Sequence, residues 1–153
     1  MPKIDIASVP IVSGSRYPEQ FKQACTGRHY QRLADAAGLT QFGVNLVRIN
    51  PGSASSLRHW HENEDEFVLM LEGELVLIED EGETIMRPGD AAGFKANSGN
   101  GHHFINRSDR DGVFLVVGTR ASSERAHYPG LDLVAVRDEG EAGRYTRKSG
   151  EPY

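Results

Sequence analysis

His59-Trp60-His61-Glu62-Asn63-Glu64-Asp65-Glu66 is the stretch on which the reading of this 153-residue chain turns. Two imidazoles at i and i+2 on a strand project to the same side, so the nitrogens of His59 and His61 can share one ion. Glu62 to Asp65 suit a hairpin loop, which sets His61 opposite Glu66 on one sheet face, with Cβ atoms about 5 Å apart. A fourth donor has to come from a strand distant in sequence. His102 opens such a segment, His102-His103-Phe104-Ile105-Asn106, just after a glycine-rich loop. A lone His-x-His reads most simply as polar residues at a strand end. Three imidazoles and a carboxylate together suit one divalent transition ion (Fe, Mn, Zn or Ni), with one or two positions left for water or a ligand.

Outward from that stretch the chain reads as short strands. Residues 43–50, 57–61, 66–71, 74–79, 83–87, 91–94, 102–106, 113–120 and 131–136 show period-two or short apolar runs, separated by Gly, Pro, Asn and Asp. An all-β sandwich or barrel is predicted. Glu72-Gly73 and Pro88-Gly89-Asp90 are tight turns that pin register. Residues 1–41 differ in texture: Tyr17 to Phe21 reads as a proline-initiated helical turn and Tyr30 to Ala37 as a second one. The expected division is an N-terminal extension packing on the barrel (1–41), the barrel core (42–120) and a C-terminal strand and arm (121–153), with Tyr145 and Tyr153 as possible anchors. Phe67 to Leu71 and Val113 to Val117 are apolar on both faces, so something should cover the outside. The N-terminal segment or a second subunit can do so, and a symmetric homodimer is the expectation.

Composition narrows the function classes. A net charge of -5 with Lys and Arg dispersed singly gives no basic stripe for nucleic acid. One cysteine, Cys25, excludes an intrachain disulfide framework, and no apolar run approaches the ~20 residues of a membrane span. The start Met-Pro-Lys-Ile-Asp carries no apolar signal region, so a cytoplasmic location is expected.

These residues resemble the cupin superfamily. Gly52, His59, His61, Glu66 and Gly73 match its first motif, with six residues rather than five after Gly52. Gly89, His102 and Asn106 match its second, in which Lys95 stands in place of Pro, Asn97 in place of Gly, and Ser98 to Gly101 lengthen the approach to His102. The likeness runs from Phe42 to Thr119. It is strongest to small single-domain cupins with an N-terminal helical extension and a Tyr-Pro segment after the barrel, here Tyr128-Pro129, many of them named only as cupins or as candidate sugar-phosphate isomerases. What it implies is a double-stranded β-helix, a jelly-roll barrel with a metal inside near one end. It implies no reaction, because cupins include dioxygenases, isomerases, epimerases, decarboxylases, sensor domains and storage proteins.

Parity assigns the remaining side chains. Trp60 and His103 point away from the ion, whereas Leu57, Val68, Met70 and Phe104 line an apolar cavity above it. Lys95 either meets an anionic substrate at the mouth or is simply solvated. Asn106 secures backbone at the strand end rather than touching substrate. His29 and His127 read as surface or packing residues, Cys25 as an inert thiol, and Glu79-Asp80-Glu81 as a solvated turn. The expected function is a mononuclear metal cupin acting on a small oxygen-rich molecule, isomerase-like (with a sugar phosphate as one candidate substrate) or dioxygenase-like, with Glu66 as ligand and base. The competing class is a non-catalytic, metal-dependent binding or sensor module.

Overall fold

Alternating apolar residues fold into antiparallel strands whose inner faces meet around one core, as a computed structural model describing residues 2–153 shows. In chain order the strands are β1 (Ile11–Ser13), β2 (Arg28–Arg32), β3 (Phe42–Ile49), β4 (Trp60–His61), β5 (Glu66–Glu72), β6 (Leu75–Glu79), β7 (Gly82–Met86), β8 (Ala91–Phe94), β9 (His103–Ile105), β10 (Gly112–Thr119), β11 (Glu124–His127), β12 (Val134–Arg137) and β13 (Arg144–Thr146). One wall is a six-stranded sheet in the order β1-β2-β3-β10-β5-β8. The other combines the sheets β13-β12-β11-β4 and β7-β6-β9. A bridge between His59 and His102 joins them, His59 N donating to His102 O at 3.2 Å and His102 N to His59 O at 2.9 Å. This is the all-β barrel that the strand pattern predicts, in the jelly-roll form that the family resemblance implies.

The core lies between the walls. Val47 and Ile49 of β3, Val68 and Met70 of β5, Leu75 and Leu77 of β6, Phe104 of β9 and Phe114 of β10 are all buried in one cluster. Each such side chain taken out of water contributes roughly 1.5–3 kcal/mol before chain entropy is set against it. A smaller cluster of Tyr17, Cys25, Ala126, Tyr128 and Leu133 sits under the N-terminal segment. The turn that carries the chain from β5 on one wall to β6 on the other admits only glycine at position 73: its φ is +71°, and a Cβ there would stand 2.2 Å from the Asp111 carbonyl oxygen.

The structure departs from the sequence reading at several elements. Residues 30–37 are not one helical turn. Tyr30 belongs to β2, and only Leu33–Ala36 are helical, because the open edge of β3 offers residues 28–32 a full antiparallel partner. The extension therefore prolongs the sheet sideways and leaves its outer face uncovered: Phe67 is 47% and Leu71 41% exposed. β1, β11 and β13 are also strands that the apolar pattern did not announce: β1 is only three residues long, and β11 and β13 are short and mostly polar. The C-terminal tail is held through β13 and by ring contacts of Tyr145 with Tyr17 and of Tyr153 with Phe21. Among the described residues no helix is long and apolar enough to cross a membrane.

Candidate metal centre and its cavity

His61 and Glu66 meet by a route other than the expected hairpin. His61 on β4 pairs with Ala126 of β11, whereas Glu66 on β5 pairs with Gly118 and Phe94. The two stand on opposite walls and face each other across the barrel interior. The loop 62–65 crosses between walls because Glu124 captures it, its carboxylate accepting from the N–H groups of Glu62 and Asn63.

Three of the four donors cluster, and the fourth meets them through Glu66. His59 Nε2 lies 3.1 Å from His61 Nε2, His61 Nε2 lies 3.4 Å from Glu66 Oε2, and His102 Nε2 lies 2.9 Å from that same oxygen. The separation from His59 Nε2 to Glu66 Oε2 is wider, 3.9 Å. His59, His61 and Glu66 each offer a donor within 4.8 Å of the others, and His102 joins them through Glu66. Metal–donor bonds of about 2.0–2.2 Å place neighbouring donors about 3.0–3.5 Å apart, so the donor set and its spacing suit a divalent transition ion after small adjustments.

Local structure holds each ring. His59 Nδ1–H donates to the Leu57 carbonyl at 2.8 Å, which leaves its Nε2 lone pair facing the cluster. His102 stacks on Phe94, centroids 3.6 Å apart and planes at 4°. The Nδ1 atoms of His61 and His102 are buried without a hydrogen-bond partner among the described residues, although Glu124 Oε1 stands 4.0 Å from that of His61. Trp60 turns outward and stacks on His127, and His103 turns away so that its Nδ1 meets the Ser56 carbonyl at 2.8 Å.

Electrostatics follow from this packing. Burial lowers the pKa of His59 to about 3 against the pull of Glu66, so its ring is neutral across the ordinary pH range. Burial also disfavours charge on His61, but its hydrogen bond to Glu66 and the carboxylates of Glu66, Glu124 and Glu64 outweigh that and raise its pKa. Burial alone would raise Glu66; hydrogen bonds from His102 and His61 reverse this and hold it well below the usual carboxylate range.

The centre forms the floor of a cavity of about 280 Å³. Val68 and Phe104 line it, together with Val47, Phe114 and Val116. Three residues expected there do not. Leu57 packs against the second apolar cluster, because residues 55–58 are bends and strand parity does not extend to them. Met70 is 1% exposed in the main core, one inward position too deep along β5. Lys95 is exposed and stays outside the lining. Asn97 adopts φ +59°, the left-handed conformation for which the family motif uses glycine, and its N–H donates to the His61 carbonyl at 2.7 Å. The mouth is built from residues that sequence reasoning missed: Arg16, Tyr17, Arg28, Tyr30 and Tyr145. Alternation along Arg28-His29-Tyr30 was the available signal, since β2 sends Arg28 and Tyr30 inward opposite Ile49 and Val47.

Comparison with known proteins supplies relatives. The family profile described as "Cupin domain" matches residues 45–118. A solved structure of a sugar phosphate isomerase from a cupin superfamily, from Silicibacter pomeroyi, shares 50% identity over 99% of this chain and 96% of its own, with a TM-score of 0.95. A candidate sugar phosphate isomerase from Acidithiobacillus ferrooxidans shares 28% identity over 90% of each chain, with a TM-score of 0.75. A polyketide cyclase from Streptomyces resistomycificus, 22% identical over 78% of this chain and 79% of its own, with a TM-score of 0.65, shares the fold. No curated protein matches the sequence.

Proposed function

Because this chain belongs to the cupin superfamily, we propose that His59, His61, Glu66 and His102 hold one divalent transition ion, and that the protein catalyses an isomerase-like reaction on a small oxygen-rich molecule. The observation that carries this is the convergence of three imidazole Nε2 atoms and one carboxylate oxygen on the floor of a cavity sized for a small ligand. The sugar phosphate isomerase named for a 50%-identical structure favours isomerisation over oxygenation and a sugar phosphate as substrate class.

An ion held there supplies Lewis-acid polarisation of a substrate carbonyl. The chain's own groups do the rest. Glu66, charged at working pH, is the carboxylate positioned to accept a proton from a carbon beside that carbonyl. Val47, Val68, Phe104, Phe114 and Val116 exclude water from the reacting end. In this reading residues 1–41 are an extension that builds the mouth, 42–120 the barrel that carries the donors, and 121–153, expected as one strand and an arm, supply the three strands β11 to β13 that close the remaining side. The uncovered outer face with Phe67 and Leu71 is assigned to a homodimer, and the protein to the cytoplasm.

Elemental analysis of natively purified protein, followed by turnover assays on ribose 5-phosphate and related aldose phosphates with Fe, Mn, Zn and Ni, tests the proposal. Stoichiometric metal with interconversion of aldose and ketose supports it. Metal retained with tight binding but no turnover under any ion leaves the binding-module class instead.

Occupancy should also depend on pH in a defined direction. Imidazole must be unprotonated to coordinate, and the raised pKa of His61 makes the proton the ion's main competitor there, while His59, at about 3, does not compete. Metal content is therefore expected to decline as pH falls through and below the ordinary imidazole value of about 6.5. Occupancy unchanged down to about pH 4.5 rules out this ligand set.

A further inference from the structure

Arg16 and Arg28 stand at the mouth of the cavity without an acidic partner among the described residues, whereas Arg48, Arg58, Arg107, Arg120, Arg125 and Arg137 each pair with a carboxylate. The only acidic side chain lining that cavity is Glu66, on its floor. Two guanidinium groups are thus left uncompensated in the lining of a small open cavity, which also contains a buried hydroxyl, Ser15 Oγ, that has no hydrogen-bond partner among the described residues.

We infer that Arg16 and Arg28 form an oxyanion subsite that binds the charged end of the substrate, a phosphate monoester or a carboxylate, while its carbonyl end lies at the metal floor. This rests on the metal-cupin reading of the same cavity. Arg28 is preorganised: its guanidinium lies 4.1 Å over the Tyr30 ring, and its Nη1 donates to the Gly14 carbonyl at 3.1 Å, which leaves further N–H groups free. Arg16 is exposed and makes no side-chain hydrogen bond or ion pair among the described residues, so it is free to close on a ligand. Both charges are near the Tyr145 hydroxyl, where they oppose the upward push of burial on its pKa. A planar fork matches an oxyanion with two parallel N–H donors, which a lysine cannot do. A cavity of about 280 Å³ admits a ligand at the small end of the usual range. Both arginines lie outside residues 45–118, the part that matches the cupin profile, so the extension sets specificity on a barrel shared with other chemistries.

Calorimetric titration of the full chain at low ionic strength with ribose 5-phosphate, ribonate and ribose tests the subsite, with metal content measured on the same samples. The anionic probes are expected to bind more tightly than ribose, with preference between phosphate and carboxylate naming the group. Arg16→Gln should weaken them about 10- to 100-fold, with Arg16→Lys intermediate and ribose unaffected. Arg16 makes no contact that the fold needs, so this variant decides even if Arg28→Gln perturbs the strand. Anionic probes that bind no better than ribose, or that bind Arg16→Gln and Arg28→Gln as tightly as the wild type, overturn the subsite. Arginine-dependent binding to protein that holds no metal would retain the subsite and reject the metal reading, so the two failures are separable.

Discussion

His61→Ala is expected to purify without metal, whereas His103→Ala retains it at the wild-type ratio. The two residues differ in strand parity. His61 Nε2 lies 3.1 Å from His59 Nε2 and 3.4 Å from Glu66 Oε2 in the barrel interior, while His103 faces away and meets the Ser56 carbonyl. Losing one of four donors should weaken affinity by at least about 100-fold, since even partners one shell further out cost 10- to 100-fold when removed. The His103 change removes a half-buried ring and one hydrogen bond, at a cost of about 1 kcal/mol of stability. Elemental analysis of both variants, purified side by side, checks this. Equal loss of metal in the two would reject the inward and outward assignment of these rings.

Asn106→Ala should be among the most destabilising single changes in the chain while leaving the metal donors intact. Its side chain is fully buried, and every polar atom on it is used. Nδ2 donates to the Ile49 carbonyl at 2.8 Å and the Arg110 carbonyl at 2.7 Å; Oδ1 accepts from Ser108 N at 2.9 Å and Ser108 Oγ at 2.8 Å. One amide thus ties the end of β9 and the turn after it to the end of β3. Truncation removes the buried hydrogen bond to the Ile49 carbonyl together with three others and opens a small void, together about 3 kcal/mol. For a domain of this size that lowers the melting temperature by about 10 °C. Thermal unfolding followed by circular dichroism measures it, and metal analysis below the transition should find the ion still bound. A loss under about 0.5 kcal/mol would mean that solvent replaces these bonds, contrary to the burial seen here.

Asn106 and Asn97 show how a motif divides its labour. Neither contributes a donor to the cluster. Asn97 supplies a left-handed turn, and its N–H holds the His61 carbonyl; Asn106 supplies hydrogen bonds that tie separate backbone segments together. The departure of Asn97 from glycine is tolerated because asparagine is the side chain that best accepts positive φ.

The barrel and the four clustered donors were legible in the sequence because both are local or motif-bound. Period-two apolarity follows from the pleat, and His-x-His places two rings on one face wherever a strand or extended segment runs through it. Which wall each donor stands on was not legible. The loop 62–65 was read as a hairpin, but backbone capture by Glu124 sends it across the barrel, and that capture depends on a residue far along the chain. The cavity mouth was hidden for the same reason. Arg28 gains its position only when β2 docks on the edge of β3, a pairing made by backbone hydrogen bonds, of which the short alternation Arg28-His29-Tyr30 is the one sequence trace. Sequence alone therefore determined which residues could bind an ion, since ligand chemistry resides in the side chain. Tertiary structure alone decided what surrounds that ion, because burial, sheet edges and facing walls are properties of distant segments brought together.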